Sequence, residues 1–300
     1  MKLIKQSFEI LEQKDFSLIG IKKFIERCGR VCYKSEDRIT DDSYEKFVDM
    51  LEKRDHARPL EFGTVHLEID MCSRDIIIDT LTNRGMLNQL WWKETYKNGK
   101  VYVTTNYRYY LAIKKVYPNI DKYFTEEDNK YYPKRYTVHM ILNRGVMDEF
   151  RTHVGLSHLA ESTRYCNYSK DKFNNEIAFI IPNWVDSIKE GTYTKDYEFP
   201  PMWEHDNWMD SEWFYAMCEA EKTYLTMTRE YLTPQQAREV LPLSVKSELI
   251  SCGFKEAWNN FFYRRCANDA HPMAREVAIP LQDKFNELGY ISNNLVGTSS

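Results

Sequence analysis

Apolar residues recur at helical spacing from Leu18 through Ile21, Ile25, Cys28 and Cys32, which predicts a helix over residues 18–33. Thr40 reads as the N-cap of a second helix running through Leu51. Val65, Leu67 and Ile69 then alternate with His66, Glu68 and Asp70, the two-residue period of a half-buried strand. Ser73 can cap a helix carrying Ile76, Ile77 and Leu81. Residues 91–135 are rich in Tyr, Lys and Asn, and the run Tyr102–Arg108 gives them strand-and-turn character; they read as an insertion. Val138, Ile141, Leu142, Val146 and Phe150 place a helix at about 137–153.

Glu176–Pro182 is a buried strand that proline stops. Trp208, Trp213, Met217 and Tyr224 mark a long helix over 207–232. Thr233-Pro234-Gln235-Gln236 is a capping box with proline in the first turn, so a new helix starts there and ends at Leu241-Pro242. Two further helices are predicted at 254–266 and 273–288, the last kinked by Pro280. Strands and helices do not alternate regularly, which favours an α+β fold in one domain spanning residues 1–300.

Composition narrows the class. The net charge of −4 argues against a general nucleic-acid coat. No apolar run is long enough to span a membrane, and Met1–Ser7 lacks the apolar core of a secretory signal, so the expected compartment is cytoplasmic. Seven cysteines without a Cys-x-x-Cys pair fit neither a disulfide framework nor a zinc cage. No metal site is expected, because no His, Glu or Asp cluster has ligand spacing.

Three arginines, Arg164, Arg238 and Arg265, lie beside apolar positions. A guanidinium near a core needs an anion, which is either a phosphate or a structural carboxylate. His56 sits in a loop entering the alternating strand, where a capping role is as natural as a functional one, and His271 can be the N-cap of the last helix. There is no Gly-rich phosphate loop, so a dinucleotide cofactor would need a non-Rossmann fold.

The segment Arg144-Gly145-Val146, Glu149-Phe150, His153, Ser157 and Glu161–Lys170 resembles the signature region of flavin-dependent thymidylate synthases. There an Arg-His-Arg triplet is followed by seven residues and a serine, then Arg-Tyr two residues later; His153, Ser162, Arg164 and Tyr165 keep that spacing. His56 with Pro59-Leu60-Glu61 is similar to the upstream His-x-x-Pro-x-Glu-His segment, with Phe62 in place of its last histidine. Val103–Arg108, Ala237–Pro242 and Phe261–Ala278 resemble further blocks, in order, so the likeness covers roughly residues 50 to 290. One departure stands out: the triplet reads Thr152-His153-Val154, with Arg151 one residue early.

The resemblance implies an α+β fold with a central, mostly antiparallel sheet flanked by helices, in a homotetramer with shared sites. It implies reductive methylation of dUMP to dTMP, with FAD as cofactor and 5,10-methylenetetrahydrofolate and NADPH as co-substrates. Carried over residue by residue, Arg265 and Ser162 are the catalytic candidates. Glu149, Ser162, Arg164, Arg238 and Arg265 would bind dUMP; His56, Arg58, Glu61, His153 and Asn260 would bind FAD. Thr152 and Val154 favour one rival, a flavin- or nucleotide-binding homo-oligomer without catalysis. A nucleic-acid binder using residues 91–135 as a stacking surface, and an enzyme with His/Ser chemistry, are the others.

Overall fold

The computed structural model describes residues 1–164, 166–170, 173–193 and 208–291. Tyr165 of the signature and position 207, the expected start of the long helix, lie outside the described residues. In chain order the strands and helices are β1 (Lys2–Ile4), β2 (Ser7–Leu11), α1 (Leu18–Tyr33), α2 (Ser43–Lys53), β3 (Thr64–Asp70), α3 (Met71–Asn83), β4 (Trp92–Lys97), β5 (Lys100–Asn106) and α4 (Tyr107–Val116). They continue with β6 (Phe124–Thr125), β7 (Arg135–Asn143), α5 (Arg144–Arg151), β8 (Ser157–Ala160), β9 (Ala178–Ile180) and β10 (Gly191–Thr192). The last are α6 (Trp208–Glu230), α7 (Pro234–Ala237), β11 (Lys246–Phe254), α8 (Lys255–Arg265) and α9 (Pro272–Glu287).

The central sheet has the order β2-β7-β11-β8, antiparallel throughout. Its spine is the pairing of β7 with β11, in register from Arg135 opposite Phe254 to Asn143 opposite Lys246. One face packs on α1, where Phe24 and Cys28 meet Leu159, Ile250 and Cys252. The other packs on α5, α8 and α9, where Val138, Met140 and Leu249 meet Phe150, Trp258 and Phe285. A second antiparallel sheet, β4-β5-β3-β6, shares a core with α2, α3 and α4. A small third sheet, β10-β1-β9, packs under α6. The fold is thus α+β, with the mostly antiparallel central sheet flanked by helices that the resemblance implied. Among the described residues no helix is long and apolar enough to cross a membrane.

Several local expectations change. The helix expected from 137 is strand β7 up to Asn143 and helix only from Arg144. Val138, Met140 and Leu142 are buried at strand period, and the Asn143 carboxamide then caps α5 by accepting the Val146 N–H at 2.7 Å. Thr40 caps nothing: α2 begins at Ser43, and the Ser43 hydroxyl instead accepts the Thr40 N–H at 2.9 Å. The cap of α3 is Asp70, whose carboxylate accepts the Ser73 N–H at 2.8 Å, and Ile76 faces solvent. Within 91–135, β5 pairs with β3 over its whole length and continues into α4, capped by Asn106.

Candidate active site

The chain leaves α5 through Thr152, whose hydroxyl donates to the Glu149 carbonyl at 2.8 Å, and turns at Gly155 (φ +99°) into β8. A positive φ of this size favours glycine, so the reversal that sets His153 in place is written into the sequence. His153 is buried, edge-on to the Phe261 ring of α8 at 5.5 Å. Burial lowers its pKa against an opposing hydrogen bond to the Ala257 backbone, and the charges of Arg265 and Arg264 lower it further. The ring is therefore neutral near pH 7. With one nitrogen bonded to the Ala257 carbonyl, the buried Nε2, which has no partner among the described residues, is an acceptor.

Beside it, Arg265 donates from Nη1 to the Glu149 carboxylate at 3.1 Å and from Nη2 to the Glu149 carbonyl at 2.7 Å. Its guanidinium lies over Phe150 at 5.8 Å, and its buried Nε has no partner among the described residues. The anion for this arginine, in the protein alone, is thus Glu149. Two groups able to take a ligand's polar atoms converge here: a neutral imidazole acceptor and a cationic donor. Asn260 sits on the exposed side of α8 and accepts from Arg264 Nε at 3.4 Å.

The far end of β8 carries a different chemistry. Thr163 accepts from Arg144 Nη1 at 3.0 Å, Ser162 is part-exposed, and Arg164 is exposed. Below them lies a buried ionic network. Lys246 pairs with Glu161 at 2.8 Å and also with Glu248, while Glu248 meets Lys34 at 2.5 Å and His139 Nε2 at 2.9 Å. Burial would lower Lys246, but the Glu161 and Glu248 charges outweigh it and push the ammonium up. Burial would raise Glu248, but His139, Lys246 and Lys34 hold it well below the usual carboxylate range. Among the described residues Arg238, just past α7, pairs with the exposed Glu239 at 3.5 Å.

The remaining flavin candidates separate. Glu61 is fully buried, and its carboxylate accepts from Arg108 Nη1 at 2.6 Å, Ser157 Oγ at 2.5 Å and Arg58 Nη1 at 3.2 Å. Its carbonyl accepts from Arg135 at 2.6 Å. Glu61 therefore ties α4 to β8, and Arg58 reaches it from the surface side. His56 is exposed, 3.3 Å from the Tyr33 hydroxyl, on the wall of a cavity of about 690 Å³ beside α1 and α2. The structure brings Glu149, His153 and Arg265 together, with Asn260 on the same helix as Arg265. It sets Ser162 and Arg164 at the other end of β8 and His56 beside α1. Residues that sequence reasoning left unassigned, Arg108, His158 and Lys246, are the ones that hold these parts in place.

His158 accepts from Ser251 Oγ through Nδ1 at 2.9 Å and donates from Nε2 to the His153 carbonyl at 3.1 Å. Burial pushes it down to about 4, against the bond to His153. His66, sandwiched between Phe16 at 4.3 Å and Tyr132 at 4.1 Å, is likewise pushed by burial to about 4. The unfolded chain binds protons on both rings below about pH 6.5 and the folded chain does not until about pH 4, so stability falls as pH drops through that window. Glu248 acts in the same sense, its contribution being lost below the usual carboxylate range. Urea unfolding at pH 7.5 and pH 4.5 is expected to differ by on the order of 2 kcal/mol per histidine, reduced in His66→Phe, whose folded and unfolded states no longer differ in protonation there. A stability that is flat between those pH values would contradict the assignment.

A neutral histidine acceptor and a carboxylate-held arginine thus meet at a corner between the antiparallel sheet and its helices in an α+β fold. The chain belongs to the thymidylate synthase complementing protein family, whose model matches residues 134–288. That match spans β7 to α9 and so holds both ends of β8. Comparison with curated proteins finds no match. Among solved structures, the chain is similar to the UMP/dUMP methylase PolB from Streptomyces cacaoi bound with 5-Br dUMP, at 16% identity and a TM-score of 0.43, covering 96% of this chain and 93% of that one. The same methylase bound with 5-Br UMP aligns at 14% identity and a TM-score of 0.42, covering 96% of this chain and 92% of that one.

Proposed function

We propose that the protein is a flavin-dependent thymidylate synthase, which converts dUMP to dTMP with FAD, NADPH and 5,10-methylenetetrahydrofolate. The observation that carries this reading is the Glu149–Arg265 pair beside the unpartnered His153 Nε2, inside the segment matched by the family. Uracil C5 is a poor nucleophile, and its attack on the folate-borne carbon builds negative charge on the ring oxygens. Arg265, already fixed over Phe150, lowers the energy of that charge. A C–C bond forms between C5 and that carbon as the carbon's bond to a folate nitrogen breaks, and the C5 proton leaves to solvent. Ser162, Arg164 and Arg238 hold the nucleotide phosphate and base, and a homotetramer supplies them from neighbouring copies where one chain leaves them apart.

Flavin, when bound, supplies the hydride that completes the methyl group. His153 Nε2, buried and unpartnered, fits the N–H edge of such a ring, with Asn260 on the adjacent helix. Thr152 and Val154 bring no charge there, and Glu61 acts by holding Arg58 and β8 rather than by direct contact. Purified protein mixed with FAD is expected to retain flavin absorption after desalting, and dUMP is expected to shift that spectrum. Flavin retained with no response to dUMP would favour the non-catalytic binder that Thr152 and Val154 suggest. Failure to retain flavin would overturn the flavin half of the proposal.

A further inference from the structure

The proposed flavin contact of His153 runs through a single atom, the buried Nε2, so whatever fixes this residue fixes the contact. Three hydrogen bonds hold it. Its N–H donates to the Phe150 carbonyl at 3.0 Å, its ring donates to the Ala257 backbone, and its own carbonyl accepts from His158 Nε2 at 3.1 Å. Of these three bonds, the last alone comes from a second side chain. The flanking side chains give no hold: the Thr152 hydroxyl is committed to the Glu149 carbonyl, and Val154 is 76% exposed. The turn is also seated closely on its neighbours. A Cβ on Gly253 of β11 would lie 3.1 Å from the Gly155 carbonyl, and one on Gly155 would lie 3.2 Å from the Ala257 Cβ. A backbone shift in this turn therefore carries the His153 ring along α8.

His158 stands opposite Ser251 in the pairing of β8 with β11. A carbonyl only accepts, so His158 Nε2 carries a proton. Burial keeps the ring neutral near pH 7, which leaves Nδ1 as an acceptor. The hydroxyl of buried Ser251, 2.9 Å away, fills it. Ser251 thus selects the tautomer, because the other one would turn a lone pair toward the His153 carbonyl. A buried histidine is more often a plain link between strands. Here, however, β8 already pairs with β11 over all four of its residues, and the Nε2 bond runs five residues back to the turn. That bond adds nothing to the ladder; what it fixes is His153. We infer that His158 is a positioning residue for the flavin: Ser251 holds it in one tautomer, and it holds the His153 carbonyl so that the His153 acceptor meets the flavin's N–H edge. The choice of flavin as ligand rests on the function proposed above, whereas the Ser251–His158–His153 chain does not.

The test compares the full chain with three variants. His158→Phe removes both bonds and keeps a planar ring. His158→Gln offers an amide that can donate to His153 while its oxygen accepts from Ser251, and Ser251→Ala removes the tautomer lock alone. FAD and dUMP affinities are read by calorimetry, and amide exchange over residues 152–156 by mass spectrometry on flavin-free protein. His158→Phe is expected to weaken FAD about tenfold or more, since a small misplacement of a polar contact suffices for that, while dUMP affinity stays within about threefold. Exchange over 152–156 should quicken about tenfold, the effect of one lost hydrogen bond, with β11 still protected. His158→Gln should stay within about threefold of the parent on both readouts, and Ser251→Ala should fall between the two variants. Should His158→Phe fail to fold, Ser251→Ala carries the same comparison. FAD affinity unchanged in the variants, equal losses of FAD and dUMP affinity, or a glutamine variant no better than phenylalanine would each overturn the inference. A parent that retains no flavin would sink the proposed cofactor, and the exchange of 152–156 with its rescue by glutamine would then decide alone whether His158 sets the His153 turn.

Discussion

Lysine in place of Arg265 is expected to lower turnover of dUMP by about a hundredfold or more while its affinity falls by no more than about tenfold. Arg265 uses both terminal nitrogens on Glu149, one on the carboxylate and one on the carbonyl, and its Nε remains buried without a partner. That fixed fork is what the proposed transition state exploits, because a preorganised donor needs no rearrangement when charge develops. Lysine keeps the positive charge and so preserves most ground-state attraction for a nucleotide. It cannot hold both Glu149 bonds and still direct a donor at the substrate. Separate measurement of kcat and of dUMP affinity by calorimetry distinguishes the two effects. Equal losses in both would show that Arg265 serves binding alone.

Glu61→Ala is expected to destabilise the protein by about 3–5 kcal/mol, whether or not any flavin is present. The carboxylate is fully buried and is the common anion of Arg58, Arg108 and Ser157. Its removal leaves two guanidinium groups and a buried hydroxyl without their acceptor, and it unties α4 from β8. Glu61→Gln keeps the volume and one acceptor oxygen, so it should cost less than alanine. Urea unfolding of flavin-free protein reads the effect directly. A change below about 0.5 kcal/mol in flavin-free Glu61→Ala would instead make Glu61 a cofactor contact, as the resemblance implied.

The elements most legible in the sequence are those whose one face is apolar and whose ends are capped. Helix α1, set by Leu18 to Cys32, has the bounds that spacing predicts, and α9, whose N-cap His271 accepts the Met273 N–H, starts and ends one residue earlier than expected. Strand β7 was obscured because it runs without a break into α5. Val138 and Leu142 of the strand fall at helical offsets from Val146 and Phe150, so one period masks the other. Strand β11 left no alternation to read, since it is buried on both faces and carries Ser247, Glu248 and Ser251 inside.

The site divides in the same way. Glu149, His153 and Arg265 stand at motif positions, and the structure brings them to one corner. The role of Glu61 was not legible, because its partners Arg108, Arg135 and Ser157 lie 47, 74 and 96 residues away.

The proposed reaction breaks the C5–H bond of dUMP and replaces the hydrogen with a methyl group. Its most direct test is tritium release from dUMP labelled at C5, measured with FAD, NADPH and 5,10-methylenetetrahydrofolate. Tritium in water and dTMP are expected in matching amounts, both abolished when the folate is omitted. No release from protein that demonstrably holds both flavin and dUMP would contradict it.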